Sequence, residues 1–221
     1  MPRWPKARME RFMARHWQVT APHSPVPFSP ALERAWVPGP QKIEAALRRV
    51  LEKEPKHKTI RRNLGYVLAE ERKFPEAIEV LREQTKINPF EDYAYNLLGR
   101  VYWQQQDYAN AEASFRKQIE VTPLDQTAHA NLGQMLVEWR KYKEAVPELE
   151  QAISLKPDDE DLQVSLGRAY LNLNETAKAM KAFEEALKID RSPATLNDIA
   201  YFLSLNKVEL NKALQYAESA V

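Results

Sequence analysis

The sequence predicts an all-α fold, a solenoid of about five helix-turn-helix repeats behind an irregular N-terminal segment. Three observations predict it. Four of the five glycines, Gly65, Gly99, Gly133 and Gly167, stand 34 residues apart. Each follows a leucine and precedes Leu68, Tyr102, Leu136 or Tyr170 by three positions, so leucine and the later residue share one stripe of a helix. Pro89, Pro123 and Pro157 keep the same interval and close successive units. A fixed period of this length marks stacked supersecondary units.

Taken in order, residues 1–40 form an arm of different composition. They hold six Lys/Arg against two acids, eight of the fifteen prolines and three of the five tryptophans. Residues 6–18 read as a short amphipathic helix with Met9, Phe12, Met13 and Trp17 on one side. Residues 20–40 read as irregular and partly polyproline-like. Four roles stay open for the arm: a linker or docking arm, a recognition segment for a partner or for the solenoid's own groove, a membrane-surface or targeting helix, and a remnant of a preceding domain. Residues 41–57 carry a single capping helix, with Ile43, Leu47 and Val50 as its stripe and Pro55 behind it. Repeats are expected at 58–91, 92–125, 126–159 and 160–193, with a shorter fifth at 194–221.

Within a repeat, glycine inside the first helix costs roughly 1 kcal/mol against alanine. It is tolerated because the absent side chain lets the second helix approach. Ala111 and Ala145 supply small residues on that helix, and Phe115 and Leu149 fill the space between repeats. The run Asp158–Asp161 caps a helix and meets its dipole rather than holding a metal. Pro75 sits in a first helical turn, where proline is acceptable, and a kink is expected at Pro147. In the fifth unit Ile199-Ala200 replaces Leu-Gly, and one extra residue is expected in the Lys207–Asn211 turn. Ala213, Ala217 and Ala220 stripe the last helix.

The best copy of the unit reads Tyr95, Leu98-Gly99, Tyr102, Ala111, Phe115, Pro123. The others read Leu64-Gly65, Leu68, Ala77, Leu81, Pro89; then His129, Leu132-Gly133, Leu136, Ala145, Leu149, Ala152, Pro157; then Leu166-Gly167, Tyr170, Ala179, Phe183, Ala186. Over about 160 residues this resembles the tetratricopeptide repeat (TPR) family. The resemblance implies a right-handed α-α superhelix whose first helices line a concave groove for a partner. In this register the groove face carries Arg62, Asn63, Tyr66 and Glu70, then Tyr93, Asn96, Arg100 and Trp103. It continues with Thr127, Asn131, Gln134 and Glu138, then Asp161, Arg168 and Asn172, with Asn197 and Tyr201 extending it. Amides bond a peptide backbone as donor and acceptor, guanidinium groups hold carboxylates, and Tyr93, Arg100 and Trp103 are the residue types that dominate interfaces.

Two subfamilies are tested by residue. The carboxylate clamp of chaperone-tail binders would fall on Arg62, Tyr66, Leu97, Thr127 and Asn131, of which only Asn131 and Arg62 suit it. In the register one repeat on it would fall on Asn96, Arg100, Asn131, Asp161 and Ser165, no better. An asparagine ladder would use Asn63 and Asn131 but is interrupted at Leu97 and Ser165.

Chemistry of other kinds finds little support. The net charge of +1 gives no general pull toward nucleic acid or membrane. No cysteine is present, which removes thiol catalysis, disulfides and Cys-based zinc sites. The histidines, His16, His23, His57 and His129, show no metal-binding spacing, and His129 takes the aromatic position of the motif as a core residue. No nucleophile elbow or phosphate-cradling glycine loop occurs. No apolar run reaches bilayer length, and no apolar stretch of signal-peptide type follows the N-terminal basic residues. The reading is a non-catalytic adaptor or scaffold without cofactor or metal, binding a protein or peptide and no nucleic acid. The last helix is uncovered where the sequence stops, so two readings stay open: the protein continues beyond it, which is favoured, or this end self-associates. The alternative is a regulatory or assembly module excised from a larger bacterial multi-domain protein. The compartment is left open.

Overall fold

The computed structural model describes residues 39–57 and 59–220. The amphipathic helix expected over 6–18 and the irregular stretch from 20 lie outside the described residues, apart from Gly39 and Pro40. Among the described residues there are eleven helices and no strand. They are α1 (Pro40–Lys53), α2 (Ile60–Glu70), α3 (Phe74–Ile87), α4 (Asp92–Gln104), α5 (Tyr108–Val121) and α6 (Gln126–Glu138). There follow α7 (Tyr142–Leu155), α8 (Glu160–Asn172), α9 (Thr176–Ile189), α10 (Pro193–Leu205) and α11 (Leu210–Ser219).

The helices form a solenoid of pairs. The most extensive contacts join α2 to α3, α4 to α5, α6 to α7, α8 to α9 and α10 to α11. Each second helix also packs on the next first helix, and α1 packs on α2 as an unpaired second helix would. First helices touch one another in the series α2, α4, α6, α8, α10, whereas second helices do not touch their counterparts. Closer spacing on one side than the other makes the array curve, with the first helices on the inside.

The glycines explain the tight pairing. A methyl built on Gly99 would stand 2.5 Å from the Phe115 ring, and one on Gly133 would stand 2.7 Å from Leu149. Gly65 meets Leu81 and Gly167 meets Phe183 in the same way. The large residue of the second helix therefore lies over the glycine of its own repeat, with Leu81, Phe115, Leu149 and Phe183 fully buried. This corrects the expectation that Phe115 and Leu149 chiefly fill space between repeats. Alanines at 77, 111, 145 and 179 are fully buried one turn earlier.

Each pair is joined by a turn with a left-handed residue that is never glycine. Arg72, Gln106, Arg140, Asn174 and Lys207 have φ between 55° and 62°. Their neighbours close Schellman-type bonds, as where Asp107 N donates to the Tyr102 carbonyl at 2.9 Å and Gln106 N to Trp103 at 2.9 Å. The fifth turn carries a second such residue, Glu209, with φ 49°. N-terminal caps come from Asp107, Asp125, Asp159 and Ser192, each accepting from a backbone N–H of its helix. Asp159 confirms the capping role read for the acidic run. Helix α7 runs across Pro147 as one element.

Helix α1 packs Leu47 and Leu51 against the core, none of its residues is fully buried, and ion pairs add to its hold. Glu44 receives Lys73 and Arg48, both at 2.7 Å, and these bonds, Lys73 first, hold its carboxyl at about 2 against an ordinary 4.5. A carboxyl with a lower pKa folded than unfolded stabilises above its unfolded pKa, and the contribution disappears as pH falls to the folded one. Docking of α1 should thus weaken between about pH 4.5 and 2. Amide exchange across α1 followed through this window should show it, and Glu44→Gln should remove that part of the acid dependence.

Candidate partner-binding groove

The inner face is built from side chains that bridge successive first helices. On α2, Arg62 reaches forward to the N-cap of α4, its Nη1 3.1 Å from Glu91, with its guanidinium 5.1 Å from the Tyr93 ring centre. Tyr93 is exposed. Burial pushes the Glu70 carboxyl up, while the Arg100 charge on α4 opposes the shift. Trp103 donates its indole N–H to Glu138 of α6 at 2.6 Å and stands nearly perpendicular to the Phe115 ring, with 6.3 Å between ring centres. On α8, Arg168 lies 5.2 Å from the Phe202 ring of α10.

Asn96 does not belong to that surface. It is only 6% exposed, and its amide donates to Gln118 of α5 at 3.1 Å. Gln118 in turn donates to the capping Asp125 of α6 at 2.6 Å. The asparagine is the first member of a buried lock joining one repeat to the next, so its assignment to the groove is corrected. One repeat earlier Gln84 donates to Glu91 in the same way.

The other expected residues vary. Asn63 accepts from Arg62 at 3.4 Å. Tyr66 packs partly into the core. Asn131 is half-buried, with its Nδ2 buried and without a hydrogen-bond partner. Gln134 is half-buried and Asn172 exposed, the latter donating back to the Arg168 carbonyl at 2.9 Å. Asp161 lies among acids: burial first, then Glu160, Asp159, Asp198 and Asp190, push its carboxyl up. Asn197 and Tyr201 are exposed on α10. Phe202 was missed, although it stands one period after Arg168 and the register alone could have found it. Exposed apolar residues Phe90 and Leu124 flank the starts of α4 and α6. His129 is buried, its Nε2 3.1 Å from the Pro123 carbonyl, a core placement as expected from the motif.

Among the described residues no three His, Asp or Glu side chains converge in a metal-binding arrangement. No helix among them is long and apolar enough to cross a membrane.

Comparison with known families places this geometry. Three models, each described as a tetratricopeptide repeat, match residues 44–92, 92–123 and 136–196. The chain belongs to the tetratricopeptide-repeat family. A comparison with curated proteins finds no significant match. Among solved structures, this TPR chain is similar to YrrB, described as a TPR protein with an unusual peptide-binding site. The identity is 19%, over 79% of this chain and 90% of that one, with a TM-score of 0.66. MamA residues 41–end from Desulfovibrio magneticus RS-1 match at 20% identity, over 74% and 92%, with a TM-score of 0.67. TTC0263, a thermophilic TPR protein of Thermus thermophilus, matches at 20%, over 74% and 90%, with a TM-score of 0.58. At these identities the likeness is one of fold.

Proposed function

We propose that this TPR chain is a non-catalytic scaffold that holds an extended segment of a partner protein along its inner face. The observation that carries the reading is the cluster of Tyr93, Arg100 and Trp103 on one side of α4, the second in the face built by successive first helices. Tyr93 is 41% exposed, and Trp103 is held in place by Glu138 rather than buried. A rigid aromatic next to a guanidinium gives apolar area at little entropy cost and a hold on carboxylate or carbonyl groups. The peptide-binding site reported for YrrB supports the same use of a related array.

Photo-crosslinking tests the placement. A benzoylphenylalanine replacing Tyr93 should crosslink a protein in source-cell lysate, and one replacing the exposed Lys117 of α5 should not. Crosslinks from position 117 alone would put the partner on the outer face.

A further inference from the structure

The repeats match at twice their period as well as at once. Arg48 pairs with Glu44 and Glu76, both at 2.7 Å, while Lys73 joins Glu44 at 2.7 Å. Sixty-eight residues on, Arg116 pairs with Glu112 at 2.8 Å and approaches Glu144 at 4.0 Å, while Lys141 joins Glu112 at 3.0 Å. Leucine covers Gly65 and Gly133, and phenylalanine covers Gly99 and Gly167. Helices α3 and α7 are therefore counterparts that can be compared residue by residue.

On α7, the Glu148 carboxylate lies 2.7 Å from His129 Nδ1, and Glu150 accepts from the Tyr170 hydroxyl at 2.6 Å. The counterparts of these two acids on α3 are Val80 and Arg82. The counterparts of His129 and Tyr170 are Arg61 and Tyr102. Neither has found a replacement acceptor. Arg61 Nη1 and the Tyr102 hydroxyl are both buried without a hydrogen-bond partner. A buried donor left unmade costs its desolvation, so α3 lacks two acceptors that α7 supplies internally, and of the two donors it is Arg61 that lines open space.

An open cleft of about 700 Å³ runs beside α3. Arg48, Arg61, Arg82 and Lys86 line it with two carboxylates, Glu79 and Glu83, against an apolar wall that includes Val80. Arg48 is committed to Glu44 and Glu76, and Lys86 lies 3.7 Å from Glu83. Arg61 and Arg82 form no ion pair among the described residues, and Arg82 lies 5.7 Å from the Tyr102 ring.

We infer that this cleft is a second docking surface, for an acidic segment of a partner protein. One side-chain carboxylate of the segment takes at Arg61 the place that Glu148 takes at His129. Another pairs with Arg82, which stands in the chain position of Glu150. Charge complementarity selects acids, because Arg61 and Arg82 form no ion pair among the described residues while Arg48 and Lys86 are already held by acids, and the apolar wall favours a peptide over a free ion.

The test uses the full chain and a fluorescein-labelled decapeptide of alternating glutamate and leucine, with a glutamine-for-glutamate version as control. The glutamate peptide should bind at least about tenfold more tightly than the control. The double variant Val80→Glu/Arg82→Glu, which installs the carboxylates of α7, should weaken that binding about tenfold or more. Arg82→Ala should weaken it in the same direction should the double variant misfold by circular dichroism. Arg100→Ala/Trp103→Ala should leave it unchanged, which separates the cleft from the groove. No binding by the wild type, equal binding of the two peptides, or unaltered binding by the α3 variants would overturn the proposal. Displacement by inorganic phosphate at concentrations as low as those of the peptide would also overturn it, by showing a small-anion site only.

Discussion

Replacing Gly99 with leucine should lower the stability of the chain by about 3 kcal/mol or more, at the upper end of overpacking costs. The first added carbon alone would stand 2.5 Å from Phe115, a ring with no exposed surface. The ring has no open space to swing into, because it is itself fully buried and packs nearly perpendicular to Trp103. Helix propensity works the other way, since leucine is favoured over glycine by somewhat less than about 1 kcal/mol. That gain is too small to offset separation of α4 from α5. Thermal melts followed by circular dichroism check the prediction. A cycle with Phe115→Ala locates the cause: removing the ring should make Gly99→Leu markedly less damaging. A variant that melts with the wild type would show that α4 and α5 are not held at this distance.

How much of this was legible in the sequence follows from where the interactions lie. Gly99 and Phe115 belong to one repeat, and their interval recurs in four copies, so periodicity alone exposes the pairing of helices. The capping role of Asp159 is equally local. Asn96 was misread because its helical register points toward the groove, while what covers it comes from elsewhere. Gln118 is 22 residues away, and the Asp125 that it holds caps the next first helix. The pairs Arg62–Glu91 and Trp103–Glu138 likewise join neighbouring repeats, so neither helix alone predicts them. The left-handed turns were invisible for another reason: Arg72, Gln106, Arg140 and Asn174 occupy a conformation for which glycine is the usual signal. The unmet donors at Arg61 and Tyr102 are not legible in α3 alone, because what marks them is the lack of acids present two repeats later.

The second large effect concerns binding. Arg100→Ala/Trp103→Ala should leave the helical fold standing, because Gly99, Leu98 and Tyr102 carry the packing of α4 and both substituted positions are only half-buried. Truncating two central anchors typically costs about 2 kcal/mol each, so the affinity for a groove-bound partner should fall by a factor on the order of hundreds or more. Asn96→Ala makes a useful contrast. It should lower the melting temperature by breaking the buried bond to Gln118, with far less effect on affinity at a temperature where both proteins are folded.

The measurement that bears most directly on the central claim is a titration of the partner trapped at position 93 into the wild-type chain and into Arg100→Ala/Trp103→Ala, with circular dichroism on both. The account predicts matching helical spectra and a loss of affinity of about a hundredfold or more in the double variant. Equal affinities for two equally folded proteins would contradict it, and would move the binding surface away from the inner face of α4.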